Sequence, residues 1–216
     1  MIFILNGPPG SGKDEACNFF EQKDCQHVSF KFHLFKATVE YYNVSLEWFM
    51  QDYDNRQIKE KAENLLHGLS RREALIYVSE KVIKPLYGRD YFGVRAAEEL
   101  EVNGNYCFSD GGFHEELIPI INKLGDNAIT LVQLTREGCD FSSDSRRYIN
   151  GNLIDEFILG SQTPVIKEYI LENKLPVRTY RVHNNATVQD LYNVLEQIHE
   201  KESNVRKINK KESKAS

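Results

Sequence analysis

No run of eighteen apolar residues occurs in the 216-residue chain, so no helical membrane span is expected. The apolar start, Met1 to Leu5, runs straight into a glycine-rich turn. It lacks the basic flank and small-residue cleavage site of a signal peptide, and a cytoplasmic location is expected. The four cysteines (Cys17, Cys25, Cys107, Cys139) include no CxxC pair, which argues against a zinc site or a redox motif. All four read as reduced thiols, with Cys139 in a loop. The six histidines form no HxxxH or Asp-His pattern and read as structural or surface residues. There is no internal repeat. An excess of positive charge is missing too: the net charge is −5, and the last sixteen residues carry six Lys/Arg and two Glu, so the remaining body is close to −9. An acidic body argues against a broad, nonspecific grip on duplex DNA.

What is present is a soluble composition, 41% hydrophobic and 27% charged, in a chain long enough for one core carrying a lid. Apolar runs at Ile2–Leu5, His27–Phe30, Tyr106–Ser109, Ala128–Leu134 and Val177–Val182 alternate with helical patterns. That alternation predicts an α/β fold with a parallel sheet of five strands. Helices are expected at Asp14–Gln22, Phe32–Tyr42, Ser45–Met50, from Ser70 to a stop at Pro85 and Gly88, Asp90–Leu100, Glu115–Leu124 and Val188–Lys201. Ser70 with Glu73 reads as a capping box. A short helix is expected within 164–173. Residues 137–163 are long, polar and weakly patterned, as active-site lids often are. Residues 1–200 are expected to form one domain and 201–216 a disordered basic tail.

Gly7-Pro8-Pro9-Gly10-Ser11-Gly12-Lys13 satisfies GxxxxGK. Alone the pattern is weak, but here it follows an apolar strand and opens a helix, the context a phosphate-binding loop needs. Gly10 and Gly12 let the backbone wrap around an anion, and N–H groups at the helix start face it. Lys13 would meet the β and γ oxygens of ATP. Asp14 stands where Ser or Thr usually helps hold Mg2+, and a carboxylate can reach the metal directly or through water.

Asp110 ends the run Tyr106 to Ser109 and precedes Gly111 and Gly112. In open α/β sheets ligands bind beyond the carboxyl ends of strands. Asp110 would there hold magnesium or take the acceptor's proton, and the glycines would let a substrate approach. Phosphoryl transfer also needs cations. Lys31, Arg56, Arg71 and Arg72 are candidates on the substrate side, and Arg136, Arg146 and Arg147 on the lid. Arg178, Arg181 and Lys174 read as solvated surface charges. Most of the aromatics between Phe30 and Tyr53 read as core. Asn184, after the last strand, is placed to meet the adenine.

The GPPGSGKD loop, SRREALIYVSEKVIKPLYGRDYFG from Ser70 to Gly93, SDGGFHEEL from Ser109 to Leu117 and VHNNATVQDL from Val182 to Leu191 resemble the phage deoxynucleoside monophosphate kinases. The resemblance spans most of residues 1–200 in order. It implies a three-layer P-loop NTPase fold with a mobile lid, the cytoplasm of an infected cell, ATP and Mg2+ as cofactors, and γ-phosphoryl transfer to a deoxynucleotide. A homodimer is left open. Where that family commonly carries an Arg after the Asp of the third strand, this chain has Gly111-Gly112-Phe113. A second kinase group that it resembles acts on the hydroxymethyl group of a modified pyrimidine (5-hydroxymethyluracil) in DNA, and a widened, glycine-lined acceptor site and a basic tail would suit that polymer. A third reading is a protein that binds ATP without transferring phosphate.

Overall fold

The computed structural model describes residues 1–125, 128–142, 144, 146–159, 165–167, 175 and 177–215. β1 (Ile2–Asn6) leads through the glycine loop into α1 (Lys13–Glu21) and β2 (Gln26–Val28). Six α-helices follow: α2 (Phe30–Tyr42), α3 (Leu46–Met50), α4 (Arg56–Lys59), α5 (Arg71–Tyr77), α6 (Lys84–Tyr87) and α7 (Tyr91–Glu99). Then come β3 (Tyr106–Gly111), α8 (His114–Leu124), β4 (Ile129–Thr135), β5 (Asn152–Ile158), β6 (Val165–Lys167), β7 (Arg178–His183) and α9 (Val188–Ala215). The chain divides into two compact units. The first holds residues 1–28, 100–114 and 121–216; the second holds 29–99 and 115–120.

The first unit is built on one sheet in the order β2-β3-β1-β4-β7-β5-β6. Every pairing is parallel except that of β5 with β6. All five residues of β1 are buried, so both of its faces are covered, as a continuous apolar run requires. On the face shared with α1 and α9, Phe3 and Leu5 join Phe20, Val132, Tyr180 and Leu195 in one core. Phe20 stacks on Phe3 with ring centroids 4.0 Å apart. Burying one such side chain contributes about 3 kcal/mol.

The sheet is wider than the five strands expected. β5 comes from the segment read as a lid, and β6 from the segment read as a short helix. β5 pairs with β7 from Asn152↔Arg178 to Ile158↔His183, so the lid expectation fails over these residues. Backbone hydrogen bonds to a partner more than twenty residues away decide this strand. Residues 160–163, and most of 164–173 with Lys174, lie outside the described residues.

α9 also departs from expectation. It continues past Lys201 to Ala215, where a disordered tail was expected. Its continuation is docked on the first unit. Glu202 is buried and accepts hydrogen bonds from Tyr180 Oη and, at 3.1 Å, from Arg178 Nη1. Lys201 Nζ lies 5.2 Å over the Tyr180 ring, and Arg206 Nη1 donates to Asn105 Oδ1. Arg178 is therefore an ion-pair partner rather than a free surface charge. Arg181 likewise pairs with the buried Glu156, at 3.6 Å.

A further correction concerns the cysteines. Cys17 of α1 and Cys107 of β3 are joined in a disulfide, their Cα atoms 6.1 Å apart, whereas four reduced thiols were expected. α1 lies on β3, and that packing brings two residues 90 apart in sequence within bridging range. Cys25 and Cys139 are free.

In the second unit, Phe35, Phe49, Tyr53, Leu66, Ala74 and Leu75 form a separate core. The expected aromatic core is there: Phe35 meets Tyr53 edge-on at 5.0 Å. Ser70 and Glu73 make the expected capping box at the start of α5. Between α5 and α6 the helix widens to one π-helical stretch, Val78–Ile83, and it stops at Gly88, whose φ is 100°.

Candidate functional site

β1 ends at Asn6, and the chain turns at once into the loop Gly7–Gly12. Gly10 and Gly12 have φ of 79° and 98°, the left-handed region glycine reaches without cost. Gly7 is required for another reason: a Cβ there would stand 2.5 Å from Leu134 O and 2.6 Å from Ser11 Oγ. Pro8 and Pro9 precede the turn, and Pro8 O receives Lys13 Nζ at 2.7 Å. That uses one of the ammonium's three donors. Ser11 Oγ is fully buried with no hydrogen-bond partner among the described residues. A left-handed glycine turn, an orphaned hydroxyl and a buried ammonium at a helix start are what a phosphate would satisfy.

Several charges converge on Lys13. Burial, and then the charge of Arg146, lower its pKa from 10.5 to about 8, against the opposing pull of Asp14, Asp144 and Asp110. Asp14 is exposed in the first turn of α1, and Asp110 is half-buried near the end of β3. Two carboxylates beside a phosphate loop fit Mg2+, which takes one or two carboxylates and phosphate oxygens.

Arg146 is held in place by Asp144. Nε donates to both carboxylate oxygens at 3.0 Å, and Nη2 donates as well. Its aliphatic stem lies on Gly112, where a Cβ would stand 2.3 Å from Cδ and 2.4 Å from Cγ. A Cβ on Gly111 would likewise stand 2.4 Å from Ile4 Cγ2. The glycine pair was read as room for a substrate, and that reading is corrected here. The space is filled by the chain's own side chains, and Gly112 in particular admits Arg146.

Residues 146–149 do not lie loose over the site. Asn6 is fully buried, and its carboxamide donates to Gly111 O and Arg147 O, each at 3.0 Å, and accepts from Ile149 N at 2.9 Å. Gln133 Nε2 donates to Ile149 O at 2.6 Å, and Tyr148 Oη to Leu134 O at 3.1 Å. This part of the expected lid is pinned to the carboxyl ends of β1, β3 and β4. Arg147 takes part through its carbonyl, and its side chain is exposed.

Arg136 leans on the loop from outside, Nη1 lying 3.5 Å from Gly10 O. Asn184, the expected adenine contact, donates from Nδ2 to Ser11 O at 3.0 Å. Asn184 N also donates to Thr135 O, at 2.7 Å. Asn184 thus braces the loop. A Cβ on Gly12 would stand 2.5 Å from that carboxamide nitrogen, a second reason for glycine there.

The four substrate-side cations belong to the second unit. Lys31 Nζ lies 4.3 Å from the Tyr53 ring centroid and 4.9 Å from that of Phe35. Arg72 pairs with Glu60 at 3.2 Å, and Arg56 is exposed on α4. Arg71 is buried, stacked on Trp48 and donating to the carbonyls of Phe49 and Gln51. Its guanidinium holds the end of α3, which corrects the expectation that it is free to meet a substrate.

Residues that sequence reasoning missed are Asn6, Gln133 and Asp144. Asn6 alone carried a signal, being the one polar residue of an otherwise apolar strand. No helix among the described residues is long and apolar enough to cross a membrane. No protein-family model matches the chain, and no curated protein matches it.

Proposed function

We propose that this chain is an ATP- and Mg2+-dependent kinase that moves the γ-phosphoryl group of ATP to a deoxynucleoside monophosphate. The observation that carries the reading is the convergence on Lys13: the glycine loop, Asp14, Asp110 and the Asp144-held Arg146 all act on one buried ammonium. The strand order β2-β3-β1-β4-β7, with the loop leaving β1 and Asp110 closing β3, supports a P-loop NTPase fold.

In this reading Lys13 and the loop N–H groups hold the β and γ phosphates. Asp14 and Asp110 orient the metal, which neutralises phosphate charge when bound. Arg146 meets charge spread over the equatorial oxygens of the moving group, and Arg136 steadies the loop from its outer side. In this reading Arg146, which lies across Gly112, stands in for the acceptor arginine that the resemblance leads one to seek after Asp110. Arg146 lying across Gly112 counts against the glycine-lined opening that favoured a DNA acceptor.

The test follows label from γ-labelled ATP into free deoxynucleoside monophosphates, or into DNA containing hydroxymethylpyrimidines. Label in a free monophosphate is expected, and Lys13→Ala abolishes it. Label in the modified DNA alone would replace the acceptor. Tight ATP binding with transfer to neither would leave a nucleotide-binding protein without kinase activity.

A further inference from the structure

α1 carries Cys17 and Glu21 four residues apart, on one helical face. β2 and β3 pair in parallel with His27 opposite Cys107, and paired residues of adjacent strands send their side chains to the same face of a sheet. Cys107 is bonded to Cys17, so this is the face that α1 covers. Three residues from two elements therefore meet in one place, with Cys107 beside them through its bond to Cys17. The ligand atoms of Cys17, Glu21 and His27 all lie within 4.8 Å of one another.

The chemistry of this group is specific. A thiolate, an imidazole and a carboxylate together form a donor set for zinc, which takes sulfur, nitrogen and oxygen in tetrahedral sites. The imidazole is already oriented: His27 Nε2 lies 2.8 Å from Ser109 Oγ, which leaves Nδ1 for a metal. A hydrogen bond on the far nitrogen is the usual support of a ligating histidine. The sulfurs are buried in the core, whereas Glu21 and His27 are exposed, so an ion has a path from water.

We propose that, once the Cys17–Cys107 disulfide is reduced, Cys17, Glu21 and His27 bind one zinc ion, with Cys107 filling the fourth position. Cys17 cannot ligate a metal while it is bonded to Cys107. A dithiol or phosphine supplies two electrons and the solvent chemistry two protons; the S–S bond breaks into two thiols, and the reductant is oxidised. Zinc then displaces the two thiol protons to solvent and binds neutral His27 and ionised Glu21. In a reducing compartment the sulfurs stand as thiols, so the metal form belongs to that setting and the disulfide to an oxidising one. Either bond ties α1, which begins at Lys13, to β3, which carries Asp110. The proposal is independent of the kinase reading. It also reverses the expectation drawn from the absence of CxxC: the ligands are gathered by strand register and helix packing, not by spacing.

The test uses the full chain, reduced with a phosphine and freed of metal, then titrated with zinc alone against a chromophoric chelator. Cobalt serves as an optical substitute, its thiolate charge-transfer band reporting sulfur ligation. One zinc per reduced chain and none on the oxidised chain are expected. His27→Gln and Glu21→Gln change exposed residues, and circular dichroism checks that each remains folded. Each is expected to weaken zinc binding by at least about tenfold. Cys107→Ser should keep binding, weakened, and lose part of the cobalt band. Reduced wild type that binds no zinc, or a folded His27→Gln that binds as tightly as wild type, would overturn the proposal and leave a disulfide staple beside two surface residues.

Discussion

Lys13 shows how a single residue's surroundings set what it can do. Its ammonium is nearly closed off from water and faces Arg146, and both effects favour the neutral amine. With a pKa of about 8 in the free protein against 10.5 in the unfolded chain, the unfolded state holds one more proton between those values. From this group alone, stability rises with pH across that window. Nucleotide binding runs the other way, because phosphate favours the charged lysine. At pH values above about 8, ATP binding should take up a proton, and affinity should fall as pH rises. Calorimetry in buffers of different ionisation enthalpy measures that uptake; equal heats after correction for ligand ionisation would contradict it. Gly112 makes a second case. Its replacement by Ala puts a methyl group against the Arg146 stem, so Gly112→Ala should lower kcat roughly 10- to 100-fold, as small misplacements of a reacting constellation do. ATP binding, measured separately by equilibrium dialysis, should persist.

At the scale of elements, the last helix is the informative one. A disordered tail would be removable at no cost, but Glu202 closes a buried contact with Tyr180 and Arg178. Burial, and then the hydrogen bond to Glu202, push the Tyr180 hydroxyl far above its ordinary pKa. Glu202→Ala should cost about 1–3 kcal/mol in urea denaturation, the usual effect of stranding buried polar groups. A change within error would mean the docked stretch contributes nothing. α9 also shows where sequence reading runs out. β1 is legible because its first four residues are apolar, and α5 because Ser70 and Glu73 make a local cap. The continuation of α9 is not legible, because it depends on Glu202 meeting β7. β5 is hidden for the same reason, its register across the sheet being set by the parallel pairing with β7, more than twenty residues on. The phosphate loop was legible because its chemistry is contiguous. Asp144 was not, since its part depends on Arg146 lying over Gly112, more than thirty residues upstream.

For the molecule as a whole, net charge of −5 matters most for what it keeps away. Sequence-independent binding to duplex DNA rests on cation–phosphate contacts, and dissociation constants of about 10⁻⁴ to 10⁻⁶ M are usual for proteins that have them. This chain should bind unmodified duplex more weakly than that range at about 0.15 M salt. Filter binding checks this, and firm retention would strengthen the DNA-acceptor reading. The loop brace has a consequence for biosynthesis. Asn184 donates to Ser11 O across 173 residues, and Asn6 meets Ile149 N across 143. A ribosome adding roughly 5–20 residues per second releases the glycine loop early and its supports late. The nascent chain therefore carries the phosphate motif through the synthesis of more than 170 further residues before the last of these supports exists. Nucleotide-binding competence should therefore appear only once the chain through Asn184 has left the ribosome.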